Sequence, residues 1–393
     1  MTVQTATHQD APPTVPAPSS WEREVDVVVV GFGGAGACAA IQAREEGLEV
    51  LAIDRFSGGG ATAISGGVFY AGGGTPIQAE AGIEDDAEAM FNYLIQEVGD
   101  VVSKETLRRF CDESIANLTW LQKHGVPFEG SLCPVKTSYP SDKYYLYYSG
   151  NESFQPYAAS AKPAARGHRA KGKGLPGANF YEPLRESAIK IGVQPAYQCE
   201  VTGLVVDDGV VVGVQARQIP AGSSWAAKHA KLAQRAIKIN PYAPKLAKKW
   251  RAQATQIEKQ HAKTVYFRAR KGVVLAAGGF IYNRKMVMEY APNYRPGMPL
   301  GTSGCSGMGI RLGQSAGGAV DRMEVVSAWR FINPPEAFVK GILVDRKGVR
   351  YVNERLYGAA VGRAMVEEHN GEALLIIDKA MRKEARQQIK KKT

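Results

Sequence analysis

The stretch from Val25 to Gly74 limits the possible folds of this chain more than any other part of it. It reads VDVVVVGFGGAGACAAIQAREEGLEVLAIDR, followed by FSGGGATAISGGVFYAGGG. Val25–Val30 is apolar except for Asp26, the pattern of a parallel strand buried on both faces. Gly31, Gly33 and Gly36 then give G-x-G-x-x-G, with the small Gly34 and Ala35 between them, and Ala37–Glu46 continues as a helix former. Such glycines let the backbone turn tightly and bring a dinucleotide's pyrophosphate against the helix N-terminus, whose unpaired N–H groups attract anions. A second strand, LEVLAID, ends at Asp54, eighteen residues after Gly36, with Arg55 beside it. A carboxylate there is placed to accept ribose hydroxyls. On its own the motif says little; set between strand, helix, strand and acid it predicts a nucleotide-binding βαβ unit.

A second glycine cluster follows at once and discriminates between dinucleotides. A nicotinamide site needs no further glycine loop after the second strand. A flavin site does, because the chain must pass the pyrophosphate and the isoalloxazine ring with little side-chain bulk. Ser57 to Gly60, then Ala61, Thr62 and Ala63, then Ser65, Gly66 and Gly67 offer backbone N–H groups and small hydroxyls in quick succession. A flexible linker is the competing reading, and the interleaved Ile64, Val68, Phe69 and Tyr70 count against it. The expected cofactor is FAD.

A chain of 393 residues is long enough for two domains. Its net charge of +11 is unevenly placed. Lys228–Lys263 holds ten basic residues against the single acid Glu258, and Lys379–Lys392 holds seven against Glu384. With +9 and +6 in those stretches, the remainder carries about −4, so the globular part is not basic. The first stretch interrupts a β-hairpin pattern, VVVGVQARQ with TVYFRARK, by two helical segments around NPYAP. Leu246, Trp250, Ile257 and His261 fall near one face of the second segment. A solvated helical hairpin covering a surface is the plainer reading. A basic patch touching an anionic membrane or a partner protein is the functional one. No nucleic-acid recognition fold accompanies the charge, so nucleic acid is not an expected partner.

Cys38, Cys111, Cys133, Cys199 and Cys305 are scattered, odd in number and without a C-x-x-C pair. That argues against a disulfide framework or a zinc site and fits a reducing compartment. MTVQTATHQDAPPTVPAPSS has neither a basic region nor an apolar core and reads as a disordered leader rather than a secretory signal. Residues 84–124 carry helical patterns, with Ser103 and Glu105 marking a helix start. Residues 131–180, rich in Tyr, Gly, Pro and Ser, read as long loops. There Tyr144, Tyr145, Tyr147 and Tyr148 either line a pocket for a flat apolar substrate or simply pack. For Arg166 and His168, a salt bridge and a loop hydrogen bond are the plainer readings beside contact with flavin or substrate.

Five stretches carry a resemblance to known proteins: SGGGATAISGGVFYAGGGTPIQ, LYYSGNE, AARGH at Ala164–His168, VVLAAGGFIYNRKM at Val273–Met286 and GILVDRKGVRYVNERLYG at Gly341–Gly358. The chain resembles the fumarate reductase and 3-ketosteroid dehydrogenase superfamily of FAD-dependent flavoproteins, most of all the bacterial 3-ketosteroid Δ4-dehydrogenases. The likeness runs from about Val25 to Asp378, broken by the basic insert. It implies an α/β fold: a Rossmann-like FAD-binding domain of the glutathione-reductase type, with an α+β cap or catalytic domain. The expected organisation is a leader over residues 1–21, an FAD-binding domain over 22–320 with the insert at 221–263, and a cap domain from 321.

The resemblance also assigns residues. Val201 is expected to give adenine a backbone contact, and the small-residue turn containing Ala277 and Gly278 to face the cofactor. Tyr357 falls just after Arg350–Glu354, where the steroid enzymes carry an active-site Tyr. Fumarate reductases have an Arg at the corresponding place, and Arg355 stands two residues away. SGGGATA lacks the His of the covalent relatives, which implies non-covalent FAD. Ser303-Gly304-Cys305 stands where relatives often show an acid. The family's C-terminal strand end and Gly-Gly-Tyr-x-Ser-Gly-like loop are not found before LLIIDKAMRKEARQQIKKKT, so the cap domain reads as truncated. The expected function is FAD-dependent Δ4- or Δ1-dehydrogenation of a 3-ketosteroid, feeding an electron acceptor, in the cytoplasm or at the membrane periphery. A fumarate-reductase-like flavoprotein and a catalytically incomplete relative are the alternatives.

Overall fold

The valine run forms strand β1, Arg23–Val30, whose β-branched side chains are all buried from Val27 onward. Gly34–Glu45 is helix α1, and Val50–Ile53 is β2, wholly buried. β1 and β2 pair in parallel, with Val28 opposite Leu51 and Val30 opposite Ile53, so α1 is the crossover of a βαβ unit. Gln194–Ala196 (β3) extends the sheet beyond β2, also in parallel. Cys199–Asp207 (β4) and Val210–Gln218 (β5) form an antiparallel hairpin. β5 pairs antiparallel with Lys263–Leu275 (β6), which runs parallel to β1 on its other side. The sheet order is therefore β3-β2-β1-β6-β5-β4. Val25, Val28, Leu51, Val201, Val214 and Phe267 belong to its core. Between β5 and β6 stand the insert's helices, Ser224–Ile239 (α2) and Pro244–His261 (α3).

This computed structural model describes residues 11–390 and divides into two compact units. The six-stranded sheet, α1 and the insert belong to the first, which gathers the chain up to Ile64, Tyr181–Tyr290 and Pro299–Met323. The second gathers Ser65–Phe180, Ala291–Met298 and the chain from Glu324. It holds an antiparallel sheet in the order Val68–Tyr70, Gly167–Arg169, Leu146–Tyr147. Helices Ala87–Val98, Lys104–Asp112 and Ser114–Lys123 accompany it, and Ser103 caps the second of them by accepting Thr106 N–H at 3.1 Å. A strand pair, Ile342–Val344 with Leu374–Ile376, and helices Gly358–Glu368 and Lys379–Lys390 complete it.

Three expectations change. Residues 11–21 are not loose: Val15 N–H donates to Leu204 O and Val15 O accepts Val206 N–H, both at 2.9 Å, adding a bridge to edge strand β4. The first ten residues of the expected leader lie outside the described residues. The expected single stretch over 22–320 also differs from the observed division, although its end lies close to the observed change at Met323. The chain leaves the nucleotide-binding unit after Ile64 and returns at Tyr181, so Ser65–Phe180 groups with the C-terminal part. Finally, the buried face of α3 is Ala247, Ala254, Ile257 and Glu258, while Leu246 is exposed. Small alanines let two helices pack closely, which turns the bulkier apolar residues toward the rim.

Candidate functional site

β1 ends at Val30, and the loop Gly31–Gly33 leads into α1. Gly33 is the N-cap, brings no capping side chain, and no acid stands in the first turn. No acidic side chain of the first turn therefore neutralises the positive end of the helix dipole. Three of the four glycines here answer to protein packing. A Cβ on Gly31 (φ +96°) would lie 2.5 Å from Ala276 O, one on Gly36 1.8 Å from Gly31 O, and one on Gly34 2.6 Å from Thr62 Oγ1. Gly33 is different. Its φ of −89° suits any residue, and a Cβ would meet nothing closer than Gly59 O at 3.6 Å, an ordinary contact. Packing does not require glycine at 33, and the bare backbone there leaves room for a ligand to approach closely. A nucleotide diphosphate fits this turn.

The second glycine loop is laced to the first. Phe32 O accepts Gly59 N–H at 2.9 Å and Tyr181 Oη–H at 2.7 Å, while Thr62 Oγ1 accepts Gly34 N–H at 3.2 Å. Gly60 adopts φ +50°, Ala61 is exposed, and Ala63 N–H bonds Gly59 O at 3.1 Å over the short turn Thr62–Ile64. Asp54 Oδ2 accepts Phe32 N–H at 3.0 Å and Oδ1 accepts Phe56 N–H at 2.8 Å. Burial pushes this carboxyl's pKa up, and the backbone donors pull the other way. Asp54 is therefore first a staple between loops, holding the backbone of Phe32, Phe56 and Gly58. Ala277 packs below Gly309, Gly278 (φ +75°) turns beside Cys305, and Val201 is buried in β4 next to Glu200.

Arg55 does not stand free. Its Nε and Nη2 meet both oxygens of Glu258 at 3.0 and 2.8 Å, and Nη1 lies 3.1 Å from Glu200 Oε1. Burial works against the Arg55 charge, but the two carboxylates outweigh it and hold the guanidinium protonated. Arg55, Phe56 and Glu200 line a cavity of about 490 Å³ in the first unit, together with Arg251, Tyr282 and Met308. Ser303 is also on its wall.

Gly66, Gly67 and Tyr357 fall in the second unit. There the two glycines are already demanded by packing: a Cβ on Gly66 would lie 2.5 Å from Tyr139 Cε2, and one on Gly67 (φ +62°) 2.9 Å from Pro176 O. Tyr357 is the N-cap of Gly358–Glu368. Its N–H donates to Asn151 Oδ1 at 2.6 Å, and its ring meets Trp329 edge to face at 4.7 Å. Burial, then Glu97 and Glu152, push the phenol up to about 12. It stays protonated at neutral pH, a hydrogen-bond donor rather than a base. Arg355, the rival for its role, is exposed and pairs with Glu336 at 3.6 Å.

Asn151 also donates through Nδ2 to Glu97 Oε1 at 2.7 Å, and Tyr70 Oη–H donates to the buried Glu152 at 3.1 Å. Sequence reasoning assigned none of these residues, although LYYSGNE contains two of them. Tyr145 and Tyr147 are buried, with Arg169 above the Tyr145 ring, so these two tyrosines pack. Arg166 makes a fully buried pair with Asp85 at 2.6 Å, and His168 Nε2 lies 3.0 Å from Thr75 Oγ1.

Comparison with known proteins agrees with this geometry. A family model described as FAD binding domain matches residues 26–380. The 3-oxo-5-alpha-steroid 4-dehydrogenase of Comamonas testosteroni is 42% identical over 377 residues, covering 93% of this chain and 69% of that protein. The 3-oxosteroid 1-dehydrogenase of Mycobacterium tuberculosis is 25% identical over 417 residues, covering 92% and 69%. The crystal structure of 3-ketosteroid-delta4-(5alpha)-dehydrogenase from Rhodococcus jostii RHA1, in complex with 4-androstene-3,17-dione, matches with a TM-score of 0.79 at 34% identity, covering 95% of this chain and 70% of that one. From β1 through both glycine loops to the Tyr357 stretch, this chain belongs to the FAD binding domain family of fumarate reductase and succinate dehydrogenase flavoproteins, and FAD is its cofactor.

Proposed function

We propose that this chain dehydrogenates a 3-ketosteroid beside its keto group, forming the Δ4 double bond. The observation that supports this reading most is the 42% identity, along 93% of the chain, to a 3-oxo-5-alpha-steroid 4-dehydrogenase. FAD, when bound, supplies the two-electron acceptor for the departing hydride. The chain's own residues bind and polarise. The amides of Gly31, Phe32 and Gly34 are bonded within the protein and shape the turn. Those of Gly33, Ala35 and Gly36 hold the diphosphate, and Gly60, Ala61, Thr62 and Ala63 extend that cradle. Asp54 takes ribose hydroxyls, Arg55 braces the strand end, and the Val201 backbone meets adenine. Ala277, Gly278, Gly66 and Gly67 keep bulk away from the cofactor.

Tyr357 donates a hydrogen bond to the 3-keto oxygen, stabilising the charge that gathers there as the neighbouring carbon loses its proton. A dicarboxylate would want a cation in this role, and Arg355 is already paired with Glu336. The reading includes an electron acceptor and a cytoplasmic setting. The exposed Lys231, Lys238 and Lys248 offer an anionic membrane a cationic face, testable by cosedimentation with anionic vesicles. For the reaction itself, the purified chain is incubated with a 5α-reduced 3-ketosteroid and an artificial electron acceptor. The expected product is the conjugated 4-en-3-one. A 1-ene product would move the enzyme to the Δ1 class, and FAD-loaded protein that leaves the steroid unchanged would overturn the substrate assignment.

A further inference from the structure

The basic insert is a branch from a complete sheet. Gln218 and Lys263 are register partners closing β5 against β6, so a tight turn would suffice where α2 and α3 stand. The two helices pack through Ala226, Ala233 and Ala236 against Ala247, Ala254 and Ile257, and Trp225 stacks on His261 at 3.9 Å. Arg217 of β5 fixes the far end by donating to the carbonyls of Glu258 and Lys259, at 3.2 and 3.0 Å, and so caps the last turn of α3. The insert's charge is sorted. Lys228, Lys231, Arg235, Lys238, Lys245, Lys248, Lys249 and Lys259 are exposed, whereas Glu258, the one acid among them, is buried. Glu258 grips Arg55 through both oxygens, and His229 Nε2 lies 3.0 Å from its Oε1. The His229 ring in turn stacks on Phe56 at 5.7 Å with 2° between planes.

That contact falls at a particular place. Arg55 follows Asp54 at the carboxyl end of β2, and Glu200 precedes Val201. Ligands of open α/β sheets bind outside the carboxyl ends of the parallel strands, and the acid closing the second strand addresses the ribose. The cavity of about 490 Å³ opens here, and Ala233, Arg251, Ala254 and Thr255 of the insert form part of its wall. We infer that the insert is a clasp over the adenosine half of the FAD site, with Glu258 as the positioning residue that locks Arg55 and Phe56 against it. This inference rests on FAD as the cofactor.

The test uses apoprotein of the full chain, titrated with FAD, with ADP, which keeps the adenosine half, and with FMN, which lacks it. Glu258→Gln removes the charge at constant shape. A second variant replaces residues 220–262 by a two-residue turn. Both are expected to weaken FAD and ADP about tenfold or more while leaving FMN binding as in the wild type, and Glu258→Asp restores part of the loss. Unchanged FAD and ADP affinity overturns the clasp. Parallel weakening of FAD and FMN also overturns it, because that marks a general loss of structure. Wild-type apoprotein that takes up no FAD would instead sink the cofactor reading on which the clasp depends.

Discussion

Two glycines three residues apart do different work, and substitution separates them. Gly36→Ala drives a Cβ into Gly31 O, from a starting separation of 1.8 Å that only backbone movement relieves. It is expected to destabilise the apoprotein by about 2–4 kcal/mol, seen as a lowered melting temperature. Gly33→Ala meets only ordinary contacts and is expected to change apoprotein stability by less than about 1 kcal/mol, yet to weaken FAD binding strongly in a flavin fluorescence titration. Equal effects of the two on folding would contradict this division. Tyr357→Phe keeps the ring against Trp329 and loses only the donor. Turnover should fall about 100-fold with flavin content unchanged, and a variant as active as the parent would remove Tyr357 from its role. The G-x-G-x-x-G spacing was legible in sequence because spacing alone defines it. That Asp54 staples two loops was not, since its partner Phe32 comes beside it only once β1 and β2 are paired.

Among the elements, the insert is where charge and packing decide together. Both helices and the interrupted hairpin were readable from periodicity and from the return of a strand pattern. The buried face of α3 was not, because alanines carry almost no periodic signal and the buried Glu258 is polar. Its rarity was the available clue: one acid in a long basic stretch. Burial would raise the Glu258 pKa, but hydrogen bonds from His229 and Arg55 hold it down at about 2, against an ordinary 4.5. The folded state thus binds this proton more weakly than the unfolded chain. The resulting stabilisation is complete above pH 4.5 and is lost as pH falls toward 2. The stability gap between wild type and Glu258→Gln should be on the order of 3 kcal/mol near neutrality. Denaturant melts at successive pH values should show it narrowing below pH 4.5. A gap that is flat or grows with acid would contradict the assigned pairing.

At the scale of the whole molecule, the class of fold was readable early. A valine-rich strand, a glycine turn and a short apolar strand followed by an acid admit few topologies, and the parallel order β3-β2-β1-β6 is the one expected of a nucleotide-binding sheet. The division into units was harder to see. Nothing in the composition at Ile64 or Tyr181 marks a crossing, because both lie in ordinary ordered chain, and only contacts made far along the sequence reveal it. The steroid reading also belongs to this scale, since it needs the cofactor and Tyr357 to act on one substrate. The decisive measurement is anaerobic mixing of the FAD-loaded chain with a 5α-reduced 3-ketosteroid, and separately with succinate, while the flavin absorbance is followed. Bleaching by the steroid with formation of one equivalent of 4-en-3-one, and none by succinate, is the expected result; bleaching by succinate alone, or by neither, would contradict it.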